Sequence, residues 1–398
     1  MYNVLVINID ELWLKGKNRP MYFRAVMHHV REVLKAYHIR PFTCKVEEQR
    51  LVAQSDNPFS TEAIEGLLKV PGVHSVIPAR RIPVEFDAIM PVVKEELMSM
   101  KTLPGTFKVE TKRSNKKFPL TSMDVSKETG SLIQHEFPGL EVAVKNPELR
   151  VEIRILDRNI YISTRKMSAV GGLPVGTSGH LISLISGGFD SPVASYLMFK
   201  RGCYQTFLFF YAYPFVGESV KDKILKLIPI LAQYQLNTRL YVVSFGDIQK
   251  RVAESCKEDY RTLFFRKAMI QCATLLAYKV KAEGLLTGDS LGQVSSQTLH
   301  NIAFLDSVSP LPILRPLVGF NKIEIIEQSK KIGTHDISII PHDDACSLFA
   351  PRHPVIRPNL HYLEKFSKEV ELEEYLKKCL LEAEVYDFSL TGQRAQSD

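Results

Sequence analysis

Ser186-Gly187-Gly188-Phe189-Asp190-Ser191-Pro192 is the stretch on which the reading of the fold turns. It follows the mostly apolar run Leu181–Ile185 and precedes a helical pattern over Val193–Lys200. Pro192 suits the first turn of that helix, where its missing N–H is no loss. Two glycines let backbone approach a ligand closely. Ser186, Ser191 and the loop N–H groups, set at a helix N-terminus, make a cradle for phosphate. No lysine follows the glycines, so this is not the G-x-x-x-x-G-K-[ST] loop.

Downstream, the apolar runs Thr206–Tyr211 and Leu240–Phe245 are each followed by a helical pattern, Val220–Tyr234 and then Cys256–Lys281 in one or two pieces. A further strand is expected at Gly284–Thr287. Buried strands alternating with helices imply parallel βαβ units. Upstream, Gly171–Gly179 holds four glycines and one proline and marks a linker. Before it the rhythm differs. Strands are expected at Tyr2–Ile9, Phe42–Val46, Arg50–Gln54, Val73–Pro78 and Thr106–Thr111, with a hairpin of Val151–Arg154 and Asn159–Ser163. Helices are expected at Met21–Ala36, 61–69, Asp87–Met100 and Met123–Phe137. Such small mixed units fit an α+β half better than a doubly wound one.

The chain has 398 residues and a formal net charge of +7, of which +6 falls on residues 1–170. A basic half beside a nearly neutral one suggests that one part holds a polyanion. Ordinary globular composition argues against a disordered or collagen-like chain. No apolar run approaches the roughly 18 residues that span a bilayer, and the start reads as a strand, not a signal peptide. No membrane partner is expected. The six cysteines, Cys44, Cys203, Cys256, Cys272, Cys346 and Cys379, form no C-x-x-C pair. A zinc or iron–sulfur site is therefore poorly supported, and a reducing cytoplasm is the expected location. Asp343–Pro354 reads as loop and sets Cys346 outside regular packing.

The glycine loop resembles that of the ATP pyrophosphatases, which cleave ATP between its α and β phosphates and adenylate a carbonyl oxygen. Further segments resemble one family among them, the tRNA 4-thiouridine synthases or tRNA sulfurtransferases. Glu11-Leu12-Trp13-Leu14-Lys15-Gly16-Lys17-Asn18-Arg19 is similar to that family's N-terminal signature. Phe107–Arg113, Phe118-Pro119-Leu120 and Asn146-Pro147 resemble its THUMP domain. Thr287–Leu299 and Arg315-Pro316-Leu317 follow in the family's order, and the resemblance covers residues 1–358.

The resemblance implies an α/β multidomain chain: a ferredoxin-like α+β domain over 1–60, a THUMP RNA-binding domain over 61–168, and a Rossmann-like ATP pyrophosphatase domain with a parallel sheet over 169–398. It implies ATP and Mg²⁺ as cofactors, with tRNA as substrate and a cysteine desulfurase as persulfide donor. A homodimer is left open. Residue by residue, it assigns ATP contacts to Leu184, Ile185, Ser186, Gly187, Gly188, Asp190, Ser191, Phe209, Phe210, Arg266, Gly288 and Gln297. Asp190, Lys322 and Cys346 take catalytic roles, Asp190 through Mg²⁺, Lys322 at the α-phosphate, and Cys346 either carrying a persulfide or attacking one on an incoming donor. Lys15, Lys17, Arg19, Lys112, Arg113, Lys116 and Lys117 are the expected tRNA phosphate contacts. The chain departs from the family where Phe209-Phe210 replaces its common His-Phe. Only about forty residues follow Pro358, dominated by a charged helical pattern over Leu363–Glu384 and too few for the rhodanese-like carrier of some members, so the persulfide is expected from a separate protein. The alternatives are a related enzyme thiolating another tRNA base and a non-catalytic tRNA-binding protein.

Overall fold

The apolar runs of the first half become strands of one sheet. The computed structural model describes residues 2–10, 16–47, 50–213, 217–341 and 351–395. Contacts divide the chain into two compact units, one of Met1–Lys15, Val26–Lys69 and Val73–Gly171, the other of Gly16–Ala25, Val70–Gly72 and Gly172–Asp398.

In chain order the first half forms β1 (Val4–Ile9), α1 (Arg19–Ala36), β2 (Phe42–Glu47), β3 (Arg50–Ser55), α2 (Thr61–Leu68) and β4 (Val73–Ile82). Then come α3 (Ile89–Met98), β5 (Thr106–Arg113), α4 (Ser122–Glu136), β6 (Glu141–Val142), β7 (Leu149–Ile155), β8 (Ile160–Ser163) and β9 (Met167–Ser168). Among the described residues these strands make one nine-stranded sheet, ordered β2-β3-β1-β4-β8-β7-β5-β6, with β9 beside β4. Strand β4 joins its two parts. Val73–Ala79 pair with β1, and Arg80–Ile82 pair with β8. On β7 the alternation of Leu149, Val151, Ile153 and Ile155 with Arg150, Glu152 and Arg154 puts one face inward. That face packs with Phe107, Val93, Leu97, Val125 and Ile133, which come from β5, α3 and α4. Helix α4 starts on a reciprocal cap, in which Thr121 and Asp124 each accept the other's backbone N–H.

His29 of α1 is fully buried, and its Nε2 has no hydrogen-bond partner among the described residues. Burial, with the charge of His28 adding, lowers its pKa from 6.5 to about 4. Between those values the unfolded chain takes up a proton that the folded chain refuses, so stability falls as pH drops through that window. His29→Leu is expected to remove this component, on the order of 3 kcal/mol between pH 6.5 and 4. Urea denaturation of both proteins at neutral and acid pH measures it.

The second half forms β10 (His180–Leu184), α5 (Asp190–Lys200), β11 (Tyr204–Tyr211), α6 (Ser219–Ala232), β12 (Asn237–Ser244), α7 (Gly246–Ser255), α8 (Arg261–Val280) and β13 (Gly284–Leu286). It continues with α9 (Leu299–Val308), β14 (Ile313–Leu314), α10 (Lys322–Ile332), α11 (His335–Ser338), α12 (Leu360–Glu369), α13 (Glu373–Leu381), β15 (Glu384–Ser389) and β16 (Arg394–Ala395). The sheet order is β14-β13-β10-β11-β12-β15-β16. Strands β10 to β14 pair in parallel, and β15 adds antiparallel to β12. From β10 the chain winds outward through β11 and β12, then returns to place β13 on the other side of β10. The crevice beyond the carboxyl ends of β10 and β13 is thus the switch point, where sheets of this kind bind ligands. No helix among the described residues is long and apolar enough to cross a membrane.

The expected linker is a pinned strap. Leu173 N donates to Lys200 O at 2.9 Å, and Gly176 N and Ser178 N donate to Gly202 O at 2.9 and 3.1 Å. Gly172 has φ +79°, and a Cβ there would lie 2.0 Å from Lys200 O, so only glycine fits. Two expectations are corrected. The helix expected from Cys256 is preceded by α7 and starts only at Arg261. The helical pattern expected over Leu363–Glu384 is two helices, ending in the strand β15.

Candidate active site

The loop after β10 and the loop after β13 meet at the switch point. Ser191, in the first turn of α5, has its Oγ against the Ser186 backbone, accepting from Ser186 N at 2.9 Å, and lies 3.1 Å from Ser186 Oγ. Behind it Ser195 Oγ donates to Ser191 O at 3.0 Å and meets Ser183 Oγ at 2.8 Å. This buried hydroxyl chain ties loop, helix and strand together. Neither Gly187 nor Gly188 adopts a positive φ. A Cβ on Gly188 would find no protein atom nearer than 3.8 Å, so the room beside it suits a ligand rather than packing.

Gly288 is where the second loop touches the first. A Cβ there would lie 2.7 Å from Ser191 N and 2.9 Å from both the Asp190 carbonyl carbon and Ser191 Cα. The next residue, Asp289, is buried and organises the loop. Both its oxygens accept from Arg266 Nη2, at 2.6 and 2.7 Å. Arg315 Nε, Thr287 Oγ1 and Gln297 Nε2 also donate to it, at 3.2, 2.8 and 3.2 Å. Burial alone would raise the Asp289 pKa, but the charge and hydrogen bonds of Arg266, with Thr287 and Arg315, outweigh it and hold the carboxyl below its ordinary value.

Asp190 faces the crevice. Lys322 Nζ donates to its two oxygens at 2.8 and 3.0 Å, and Gln293 Nε2 donates to one of them at 3.0 Å. Lys322 is the first residue of α10, set by the reciprocal cap of Asn321 and Glu324. Its ammonium lies 5.4 Å from the centre of the Phe189 ring and the side chain is 43% exposed, so it can follow an anion out of this pairing.

Ser186, Gly187, Gly188, Asp190, Ser191, Gly288 and Lys322 therefore meet around one crevice. Leu184 and Ile185 lead into the loop, with Ile185 buried. Phe209 and Phe210 are both buried, and as successive residues of β11 they point to opposite faces. Phe209 stacks along the strand with Tyr211, and Phe210 packs on Phe245. Arg266 and Gln297 are engaged by Asp289, so the Arg266 charge is already balanced there. Asp289, Arg315 and Gln293 were not anticipated. A carboxylate three residues past a buried apolar strand, which needs a cation once buried, was the available signal.

Cys346 and Lys15 lie outside the described residues. Lys17, Lys112, Lys116 and Lys117 are exposed, as phosphate contacts require. Arg19 is half-buried over the Phe23 ring. Arg113 is engaged within its own unit, donating to Phe118 O and Leu120 O at 2.8 and 2.6 Å.

A serine–glycine loop at a helix N-terminus, buttressed by a second glycine at the switch point of a parallel sheet, defines the nucleotide-binding class of α/β domains. Models of three families match in series: the ThiI ferredoxin-like domain over 4–76, the THUMP domain over 86–165, and the thiamine biosynthesis protein (ThiI) over 176–372. A relative named "Probable tRNA sulfurtransferase" from Halothermothrix orenii is 39% identical over 380 residues, covering 94% of this chain and 95% of its own. Another of that name, from Moorella thermoacetica, is 39% identical over 386 residues, covering 97% of each. A crystal structure of a 4-thiouridine synthetase–RNA complex with bound ATP superposes with a TM-score of 0.88 at 30% identity, covering 97% of this chain and 100% of that one. The chain belongs to the tRNA sulfurtransferase family.

Proposed function

We propose that this chain is an ATP-dependent tRNA sulfurtransferase that converts uridine 8 of tRNA to 4-thiouridine. The observation that carries the reading is the Lys322–Asp190 pair beside the serine–glycine loop, in a chain whose first half belongs to an RNA-binding class. The parts are a ferredoxin-like domain over 1–60 and a THUMP domain over 61–168 that grip tRNA, and a catalytic domain over 169–398. Lys17, Lys112, Lys116 and Lys117 supply screened phosphate contacts, which position without reading sequence. The setting is the cytoplasm, where thiols stay reduced.

ATP enters as a substrate, its phosphates against the α5 N-terminus. Mg²⁺ takes hard oxygen donors and usually pairs one or two carboxylates with substrate phosphates. Asp190 fits that role, and no group of three His, Cys, Asp or Glu side chains forms an all-protein metal cage among the described residues. Lys322 then turns from Asp190 toward the α-phosphate, where negative charge develops. O4 of the uridine attacks the α-phosphorus and pyrophosphate leaves, turning a poor leaving oxygen into AMP. A cysteine desulfurase loads Cys346 as a persulfide. Its terminal sulfur attacks C4 and AMP departs. A second thiol then cleaves the S–S bond, which leaves sulfur on C4 and a disulfide for an external thiol to reduce.

Lys322→Met is expected to lower tRNA-dependent ATP–pyrophosphate exchange by on the order of 100-fold. The full reaction is tested with tRNA, ATP, Mg²⁺, cysteine and a desulfurase, followed by mapping of thiolated nucleotides. 4-Thiouridine at position 8 is expected, and its absence overturns the reading. Full activity of Cys346→Ala overturns the persulfide role.

A further inference from the structure

Lys223 is a buried cation that the mechanism above does not use. It sits on α6 at 4% exposure, and its ammonium donates to Ser338 O at 3.0 Å and Ile340 O at 2.6 Å. These carbonyls close α11, a single turn between α10 and the segment that carries Cys346. The same turn also touches the phosphate loop. Ser338 Oγ donates to Gly188 O at 3.1 Å, and the His335 ring lies 5.7 Å from the Phe189 ring. Its start is held by Ser329 and Thr334, both buried, whose hydroxyls are 3.0 Å apart.

Burying an ammonium is costly, and an apolar side chain would fill the place at lower cost. What the ammonium adds is direction, because it aligns the carbonyls at the end of a turn. Ile340 lies six residues before Cys346. Six residues span at most about 21 Å, so the position of Ile340 sets the greatest distance over which Cys346 can act. Burial also lowers the Lys223 pKa.

We propose that Lys223 is a positioning residue for sulfur transfer: it registers the chain that leads to Cys346 against the phosphate loop. This inference rests on the sulfurtransferase reading. The loop keeps its own supports in Ser183, Ser195 and Gly288, so adenylation does not need the clamp. The test is Lys223→Met, read by two rates on the full-length protein, tRNA-dependent ATP–pyrophosphate exchange and single-turnover 4-thiouridine formation. Exchange is expected to stay within about threefold of the original, while thiolation falls by on the order of 100-fold, the penalty of misplacing a reacting group by about 1 Å. Equal losses in both rates overturn the proposal, since they mark a general structural role. Unchanged thiolation overturns it too. Lys223→Gln, which keeps a donor on a shorter stem, replaces the methionine variant if that is insoluble and is read by the same ratio. The unsubstituted protein is assayed first. If it forms no 4-thiouridine, the sulfurtransferase reading fails, and if it does while the ratio stays unchanged, the clamp alone fails.

Discussion

Gly288→Ala is expected to remove adenylation while leaving the protein folded. One methyl group would stand 2.7 Å from Ser191 N and 2.9 Å from two further backbone atoms of the α5 N-terminus. Those atoms cannot rotate aside as a side-chain tip would, so either the loop after β13 or the phosphate loop must shift by several tenths of an ångström. Overpacking of this kind costs about 1–3 kcal/mol in stability. The effect on catalysis is expected to be larger, because the displaced N–H groups are those proposed to hold phosphate. A loss of at least about 100-fold in tRNA-dependent pyrophosphate exchange is expected. The melting temperature of the variant separates the two effects, and near-native exchange by a folded Gly288→Ala would show that the two loops do not need this contact.

Asp289→Asn is expected to be the most destabilising isosteric change in the catalytic domain. It leaves Arg266, 15% exposed, with Ser296 O as its remaining described partner, while Arg315 keeps Asp306. Breaking a buried pair costs about 3–5 kcal/mol, and the residual exposure of Arg266 and the second partner of Arg315 place the expected loss near the lower end, about 3 kcal/mol. Adding Arg266→Gln removes the orphaned charge and is expected to recover part of it. A double-mutant cycle by urea denaturation measures the coupling. Because the Asp289 pKa is depressed, its contribution is fully present above the ordinary carboxyl range and is lost only as pH falls through the lowered value. Around neutral pH the two proteins should therefore differ by a constant amount.

The parallel strands β10, β11 and β12 were legible because strands buried on both faces read as apolar runs. Strand β15 was not. In Glu384–Ser389 only Tyr386 and Phe388 are buried, and its place comes from pairing with β12, where Asp387 meets Arg239 at 2.7 Å. Helix α7 was missed because it opens with Gly246 and its buried stripe holds only two large apolar side chains, Ile248 and Val252, beside the polar Gln249. At the site, the serine–glycine loop was legible from its setting between strand and helix. The support of Asp289 by Arg266 and Arg315 was not, because those partners lie 23 and 26 positions away and only the folded sheet brings them together. Gly288 was picked out by resemblance, while its physical task, close approach to the backbone of α5, needed the structure.

Strand β4 has two owners. Its first seven residues complete the sheet around β1, and its last three begin the sheet that continues through β8. Neither part can be excised without taking an edge from the other. The first half should therefore melt in a single transition, and a fragment begun after Ile82 would bare the flank of β8 to any passing strand. Hydrogen bonding thus makes one cooperative unit of what is read as two domains by resemblance.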